Sequence, residues 1–284
     1  MLSSLEDVIP ALDRGKVCAP AFDIGGGQPD FLLGVLRACE EAGCPAIMLV
    51  WGPAAEDYLG LDACVELAAH YAERSSVPLV LHLDHGLDEE VVEKALEAGF
   101  RSVMFDASDC PLAENIRRTR RMAERAHEQG ATIEGELGRF GQEQDGGEAA
   151  NRLTDPDEAE RFVRETGVDM LAPAVGNAHG FYRKPPRLRF DLIEEISSRT
   201  AVPLSLHGGT GIPLEDVRRA GELGMRKINI ASQIHKDFAE ALRCAAEVDP
   251  ERKFSWRTAL GAGREAISAR VGEYIGELGA ERLL

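Results

Sequence analysis

"PLVLHLDHGLDEEVVEKALEAGF", residues 78–100, reads as one β/α unit. Its first part, 78–83, is a run of strand-type residues. The segment 88–100 has an acidic start, apolar positions at three-to-four spacing and a terminal Gly99, all of which are helix signals. The same alternation runs from one end of the chain to the other. Strands are expected at 17–22, 46–50, 78–83, 102–105, 132–137, 170–175, 203–207 and 227–230, with helical patterns such as "PDFLLGVLRACEEAG", "AENIRRTRRMAERAHEQG", "DPDEAERFVRETG" and "PLEDVRRAGELG" between them. No linker or low-complexity stretch divides the units. Eight of them in one chain predict an α/β fold, a parallel sheet closed into a (β/α)8 TIM barrel. A single domain over 1–284 is expected, with a helical C-terminal extension at about 252–284. The apolar spacing of that extension suits packing on a second subunit or on its own barrel.

Bulk properties narrow the functional classes. The 284 residues are 44% hydrophobic, and 49 acidic against 32 basic residues leave a formal net charge of −17. Nucleic-acid binding rests on clustered Lys and Arg, so no nucleic-acid partner is expected, and an anionic substrate needs a local positive pocket. No signal-type N-terminus and no apolar run near the about 18 residues of a membrane span is seen, which predicts a cytoplasmic protein without a membrane partner. The six cysteines lack a C-x-x-C pair and read as reduced, mostly buried apolar residues.

The unusual residues gather at the predicted strand ends, where barrel enzymes keep their active sites. They are His82, Asp84 and His85 after strand three, Asp106 and Ser108 after four, Glu134 and Glu136 around five, Asn177 and His179 after six, His207 after seven, and Asn229 and Ser232 after eight. His85, His179 and His207 could meet at the barrel mouth and leave an open position on a divalent ion, an arrangement that suits catalytic zinc. The two-residue strand period puts His82 and Asp84 on one face, with His85 at the first residue of the turn. Asp84 can then exchange a proton with a substrate oxygen, with His82 as support behind it.

Three further stretches concern ligands. "HGGTGIPLEDVRRAG" supplies Gly208, Gly209 and Gly211 before a helix, and "KINIAS" adds Asn229 and Ser232 as donors; their place after strands seven and eight suits a phosphate site of the kind barrels carry there, while the glycines alone also fit an ordinary tight βα turn. "AHGFYRKPPRLRF" brings Gly180, Arg183 and Lys184 directly after His179, either as a local positive field or as a solvated loop. The polar stretch 138–154 has the length of a lid that could carry Glu143 or Asp145 into the site.

"LHLDHG", "IEGELGRFGQEQDG", "AVGNAHGFY", "LSLHGGTGIP" and "KINIAS", in that order, resemble the class II metal-dependent aldolases of the fructose-bisphosphate and tagatose-bisphosphate type. The resemblance extends from "VCAPAFDI" to "KINIAS". It implies an aldehyde-lyase of carbohydrate metabolism that reversibly joins dihydroxyacetone phosphate to an aldehyde, with a phosphorylated sugar as substrate. Carried over by position, it makes His85, His179 and His207 the Zn²⁺ ligands and Asp84 the proton carrier at the aldehyde oxygen. Glu136 matches a carboxylate near the metal, a place for an alternate metal position, while Glu134 and Asp106 match groups standing behind it. Gly180, Gly208, Gly209, Thr210, Asn229 and Ser232 match the positions that hold the phosphate-bearing half. A monovalent cation (Na⁺ or K⁺) near that phosphate and a homodimer or homotetramer are also implied.

The departures point to specificity. "GQEQDG" puts Gln144 where the family carries a glutamate that moves the carbon-bound proton, and an amide cannot serve as a base; either Glu143 or Asp145 substitutes, or the proton step differs. "FDIGGGQPD" places Asp23 at a family Asn, and "LVWGPAA" places Trp51 or Gly52 at a small hydroxyl residue. These changes should penalise the usual ketose bisphosphate. They leave two other readings: a divergent metal-dependent lyase or epimerase on a non-standard substrate, and a zinc-binding paralogue without aldolase activity.

Overall fold

The computed structural model describes residues 1–139, 152–182, 186–247 and 255–283. Eight parallel strands close a barrel in chain order: β1 (Ala19–Asp23), β2 (Ala46–Trp51), β3 (Leu79–Gly86), β4 (Ser102–Phe105), β5 (Thr132–Leu137), β6 (Met170–Pro173), β7 (Leu204–Leu206) and β8 (Met225–Ile230). Around them run α1 (Leu5–Gly15), α2 (Pro29–Ala42), α3 (Gly52–Asp57), α4 (Leu61–Ala72), α5 (Glu89–Ala98), α6 (Leu112–Glu128), α7 (Pro156–Thr166), α8 (Phe190–Arg199), α9 (Leu214–Glu222), α10 (Ser232–Glu247) and α11 (Trp256–Leu278). The (β/α)8 barrel expected from the alternation is the fold. No helix among the described residues is long and apolar enough to cross a membrane.

The apolar outer faces of the strands are buried under the helix ring. The inner faces change with height. At the floor, Ala19, Ala21, Ile47, Val80 and Met170 meet Leu5, Val8 and Leu12 of α1, which closes the lower end. Each of the larger side chains, fully buried, contributes about 1.5–3 kcal/mol. Asp7 starts this helix by accepting the backbone N–H of Ser4 at 2.7 Å. α1 precedes the first predicted strand and is not among the expected elements, although Leu5, Val8 and Leu12 follow the helical period.

Above the floor the pleat keeps the same parity. Across the β2–β3 ladder, Ile47 faces Val80, Leu49 faces His82, and Trp51 faces Asp84. Branched apolar side chains are the usual filling of a barrel. Here the middle is His82, Ser102, Glu134 and Lys227, all fully buried. Buried ionisable groups cost free energy unless paired, so this layer signals a purpose other than packing.

Two boundaries differ from the sequence reading in ways that matter. β3 continues to Gly86 instead of ending at residue 83, and its ladder with β4 shifts between Leu83 and Gly86. His85 therefore stands inside the strand at an irregularity, with φ +51°, and is not the first residue of a turn. α11 lies against α2 and α10 of its own chain and buries Ile267, Val271, Ile275 and Leu278.

Candidate active site

A pocket of about 490 Å³ opens at the C-terminal ends of the strands. Its wall includes Asp84, His85, Asp106, Glu136, His179, Gly180, His207, Gly208, Gly209, Thr210, Asn229 and Ser232. These are the positions singled out at the strand ends. His82 and Glu134 lie beneath them in the buried layer. Glu143, Gln144 and Lys184 fall outside the described residues.

The histidines converge from three strands. Ligand atoms of His85, His179 and His207 all lie within 4.8 Å of one another. The ring centroid of His85 is 5.1 Å from that of His179 and 4.9 Å from that of His207. Neighbouring groups fix which nitrogen each ring presents. Glu134 Oε1 takes the Nε2 side of His207 at 2.7 Å, so Nδ1 faces the other rings. Asp106 Oδ2 takes Nδ1 of His85 at 3.1 Å, leaving Nε2 to face inward. Those two inward nitrogens, His207 Nδ1 and His85 Nε2, are 3.2 Å apart. Two imidazole lone pairs turned toward one spot, each oriented by a carboxylate behind the ring, match the construction of a metal site. Glu136 strengthens the fit, because its buried Oε2 has no hydrogen-bond partner among the described residues. His85, Asp106 and Glu136 form a second group of ligand atoms within 4.8 Å. Three neutral nitrogens with a carboxylate nearby suit Zn²⁺.

Local electrostatics point the same way. Burial opposes a charge on His85, yet Asp84 and then the hydrogen bond from Asp106 push its pKa up to about 10. The carboxylates thus favour a positive charge at this place. His179 is driven down to about 3, first by burial and then by its histidine neighbours, so it stands as a neutral donor. Burial and the charge of Asp106 hold Glu136 well above the usual carboxylate range. Asp84 is lowered: burial opposes its charge, but His85 and then His207 outweigh it.

Lys227, which the sequence does not single out, organises these groups. Lys227, fully buried, places Nζ 3.0 Å from Glu134 Oε2 and 2.6 Å from Asn229 Oδ1. Because ammonium only donates, it fixes the amide of Asn229 with its NH2 toward Asp84 Oδ1, at 2.9 Å. One lysine therefore steadies both His207, through Glu134, and Asp84, through Asn229. It also sets the charge states around it. Burial raises Glu134, but Lys227 and then His207 bring it well below the usual range. His82 is lowered to about 3 by burial and by Lys227, and its Nδ1 lies 2.7 Å from Ser102 Oγ. The strand period is a signal that could reveal Lys227, since it shares its face with Asn229.

Ser108 links Asp106 and Glu136: its N–H donates to Asp106 Oδ1 at 3.0 Å and its hydroxyl to Glu136 Oε1 at 2.9 Å. Asn177 Nδ2 donates to the His207 carbonyl at 2.9 Å. His235, which has no evident role in the sequence, lies with Nε2 3.3 Å from Asp23 Oδ1.

The phosphate-type loop is shaped by close backbone approach. Gly208 has φ +64°, and a Cβ there would collide with the carbonyl oxygen of Ala178. At Gly209 a Cβ would stand 2.7 Å from the Asn229 carbonyl oxygen. These glycines bring the β7 loop against the β6 and β8 loops, with the N-terminus of the 16-residue α10 at Ser232 alongside. Tyr182 braces the same corner; its hydroxyl accepts Ala178 N–H at 2.7 Å and lies 3.0 Å from the Gly208 carbonyl.

Comparison with known proteins agrees with this geometry. The sequence model of the family described as fructose-bisphosphate aldolase class-II matches residues 3–282. A fructose-bisphosphate aldolase of Geobacillus stearothermophilus is 39% identical over 274 residues, covering 95% of this chain and 94% of that protein. One of Staphylococcus aureus is 39% identical over 253 residues, 88% of each. Among solved structures, the YdjI aldolase of Escherichia coli superposes with a TM-score of 0.85 at 30% identity, over 99% of both chains.

Proposed function

The chain belongs to the class II fructose-bisphosphate aldolase family, and on that premise we propose that it is a zinc-dependent aldehyde-lyase joining dihydroxyacetone phosphate reversibly to an aldehyde. The observation that carries this reading is the convergence of His85, His179 and His207 within 4.8 Å, with Asp84 and the glycine loop on the same pocket wall.

When bound by the three histidines, zinc supplies Lewis acidity toward the carbonyl and hydroxyl oxygens of the three-carbon donor. The chain's own residues do the rest. The Gly208, Gly209 and Thr210 loop, pinned by the Gly209 N–H to the Asn229 carbonyl at 2.9 Å, and the start of α10 at Ser232 suit the donor phosphate. Lys184, outside the described residues, is assigned to the same phosphate on the sequence alone. In condensation the donor carbon gives up a proton, for which Glu143 is assigned as base. That carbon's electron pair then forms the new bond to the aldehyde carbon. Asp84 delivers a proton to the aldehyde oxygen, and in cleavage it takes that proton back. The bond from Asn229 holds Asp84 at one orientation for both directions. Glu134 and Asp106 keep His207 and His85 in the tautomers that face the metal. A cytoplasmic location and a homodimer or homotetramer belong to the same reading; Trp256, 63% exposed at the start of α11, supports the association of subunits.

The decisive experiment is Asp84→Ala with metal analysis beside kinetics. Zinc content stays at the wild-type level while carbon–carbon turnover falls by at least about a hundredfold. Full activity in that variant would remove Asp84 from the mechanism. Zinc without turnover on any ketose phosphate in the wild type would favour a binding paralogue.

A further inference from the structure

Under the reading just proposed, the donor phosphate lies at the β7 and β8 loops and Asp84 marks the aldehyde oxygen. The closed strand order then offers the arc past β8, which leads round to Asp84, for the remainder of the aldehyde half. Past β8 come the ends of β1, β2 and β3, and the ladders tie them closely: Asp23 pairs with Leu49, and Trp51 with Asp84. The pocket wall on this arc is made of Asp23, Leu49, Trp51 and Leu87.

Asp23 is 8% exposed, and its carboxylate is positioned by two bonds to one oxygen. Oδ1 accepts the Gly25 N–H at 2.5 Å and lies 3.3 Å from His235 Nε2. Oδ2 takes neither bond, and an ionised carboxylate oxygen is a strong acceptor for hydroxyl groups. His235 stands behind Asp23 and does not contribute to the pocket wall. Trp51 is 44% exposed beside it, an indole that can cover the C–H face of a sugar chain. The described cation of this wall is Arg139, which comes from the end of β5 and is 3.4 Å from Asp109.

A terminal phosphate on the aldehyde half would carry its charge toward the Asp23 carboxylate. A polyol would instead give that oxygen a hydrogen bond and give Trp51 an apolar face. We infer that the aldehyde half of the substrate is an uncharged polyhydroxy chain, that the ketose is a 1-phosphate and not a bisphosphate, and that Asp23 sets this preference.

The test is condensation of dihydroxyacetone phosphate with racemic glyceraldehyde and, separately, with racemic glyceraldehyde 3-phosphate, which removes stereochemistry from the comparison. Glyceraldehyde is expected to be favoured in kcat/KM by at least about tenfold, and Asp23→Asn to shrink that ratio by about tenfold. A wild-type preference for the phosphorylated aldehyde overturns the inference, as does an unchanged ratio in the folded variant. If Asp23→Asn does not fold, salt decides: the wild-type ratio narrows as ionic strength rises if charge repulsion sets it, and a flat ratio overturns it. Deuterium exchange into dihydroxyacetone phosphate, followed by NMR, separates the two levels. Exchange without condensation of either aldehyde overturns this inference alone; no exchange and no condensation overturns the aldolase reading with it.

Discussion

The ammonium of Lys227 lies 3.0 Å from Glu134 Oε2 in the middle of the barrel, and neither side chain reaches solvent. Removing one member of a buried ion pair leaves the other charge without compensation, at a cost of about 3–5 kcal/mol. Lys227→Met is therefore expected to lower stability by about that amount in urea unfolding. Adding Glu134→Gln should return most of the loss, because the glutamine oxygen still accepts from His207 and no unpaired charge remains. A double variant as unstable as the single one would show that charge pairing is not what holds Lys227 in place.

Asp106 lies against His85 Nδ1, the nitrogen turned away from His207, so its effect should appear in metal affinity. With the Nδ1 partner of His85 weakened, Asp106→Asn is expected to reduce zinc affinity by about 10–100-fold, read by competition with a chromophoric chelator. An unchanged affinity would mean that packing alone orients His85.

The buried thiols give a pH dependence of known sign. Burial pushes Cys18 up to about 12 and Cys64 up to about 11, from an ordinary value of 9.0. Folded protein therefore retains protons that the unfolded chain releases above pH 9.0. The stability from these groups is whole below that pH and is lost as pH rises toward the folded values. The urea midpoint should fall over this alkaline range, and less so in a Cys18→Ala variant. Equal slopes would assign the alkaline loss to other groups. At neutral pH a thiol reagent should label exposed Cys244 before either buried thiol.

Much of the molecule is legible in its sequence because barrel chemistry repeats. Alternating strand and helix patterns carry the fold, and polar residues at strand ends such as His85, Glu136 and His207 stand out against apolar runs. Side chains whose meaning depends on a distant partner do not stand out. Lys227 in "MRKINI" looks like a strand lysine until the closed barrel brings it to Glu134, from a strand three places away around the ring. His235 looks like a helix residue until Asp23 is seen beside it. α1 escapes notice for a different reason: its apolar face has no use until there is an open barrel floor to fill. The end of β3 is hidden because a strand normally stops where a residue leaves the β region, whereas the shifted ladder lets His85 leave it and the strand continue to Gly86.

That irregularity puts stability and chemistry in opposition at one position. With φ +51° the backbone at His85 lies in the left-handed region, which glycine enters freely and which histidine, like asparagine, enters more readily than most residues but still at a steric cost. Selection for folding alone would pull the position away from histidine, toward side chains that hold no metal. Glycine would carry the chain through this bend at lower cost, but it would leave the cluster one imidazole short.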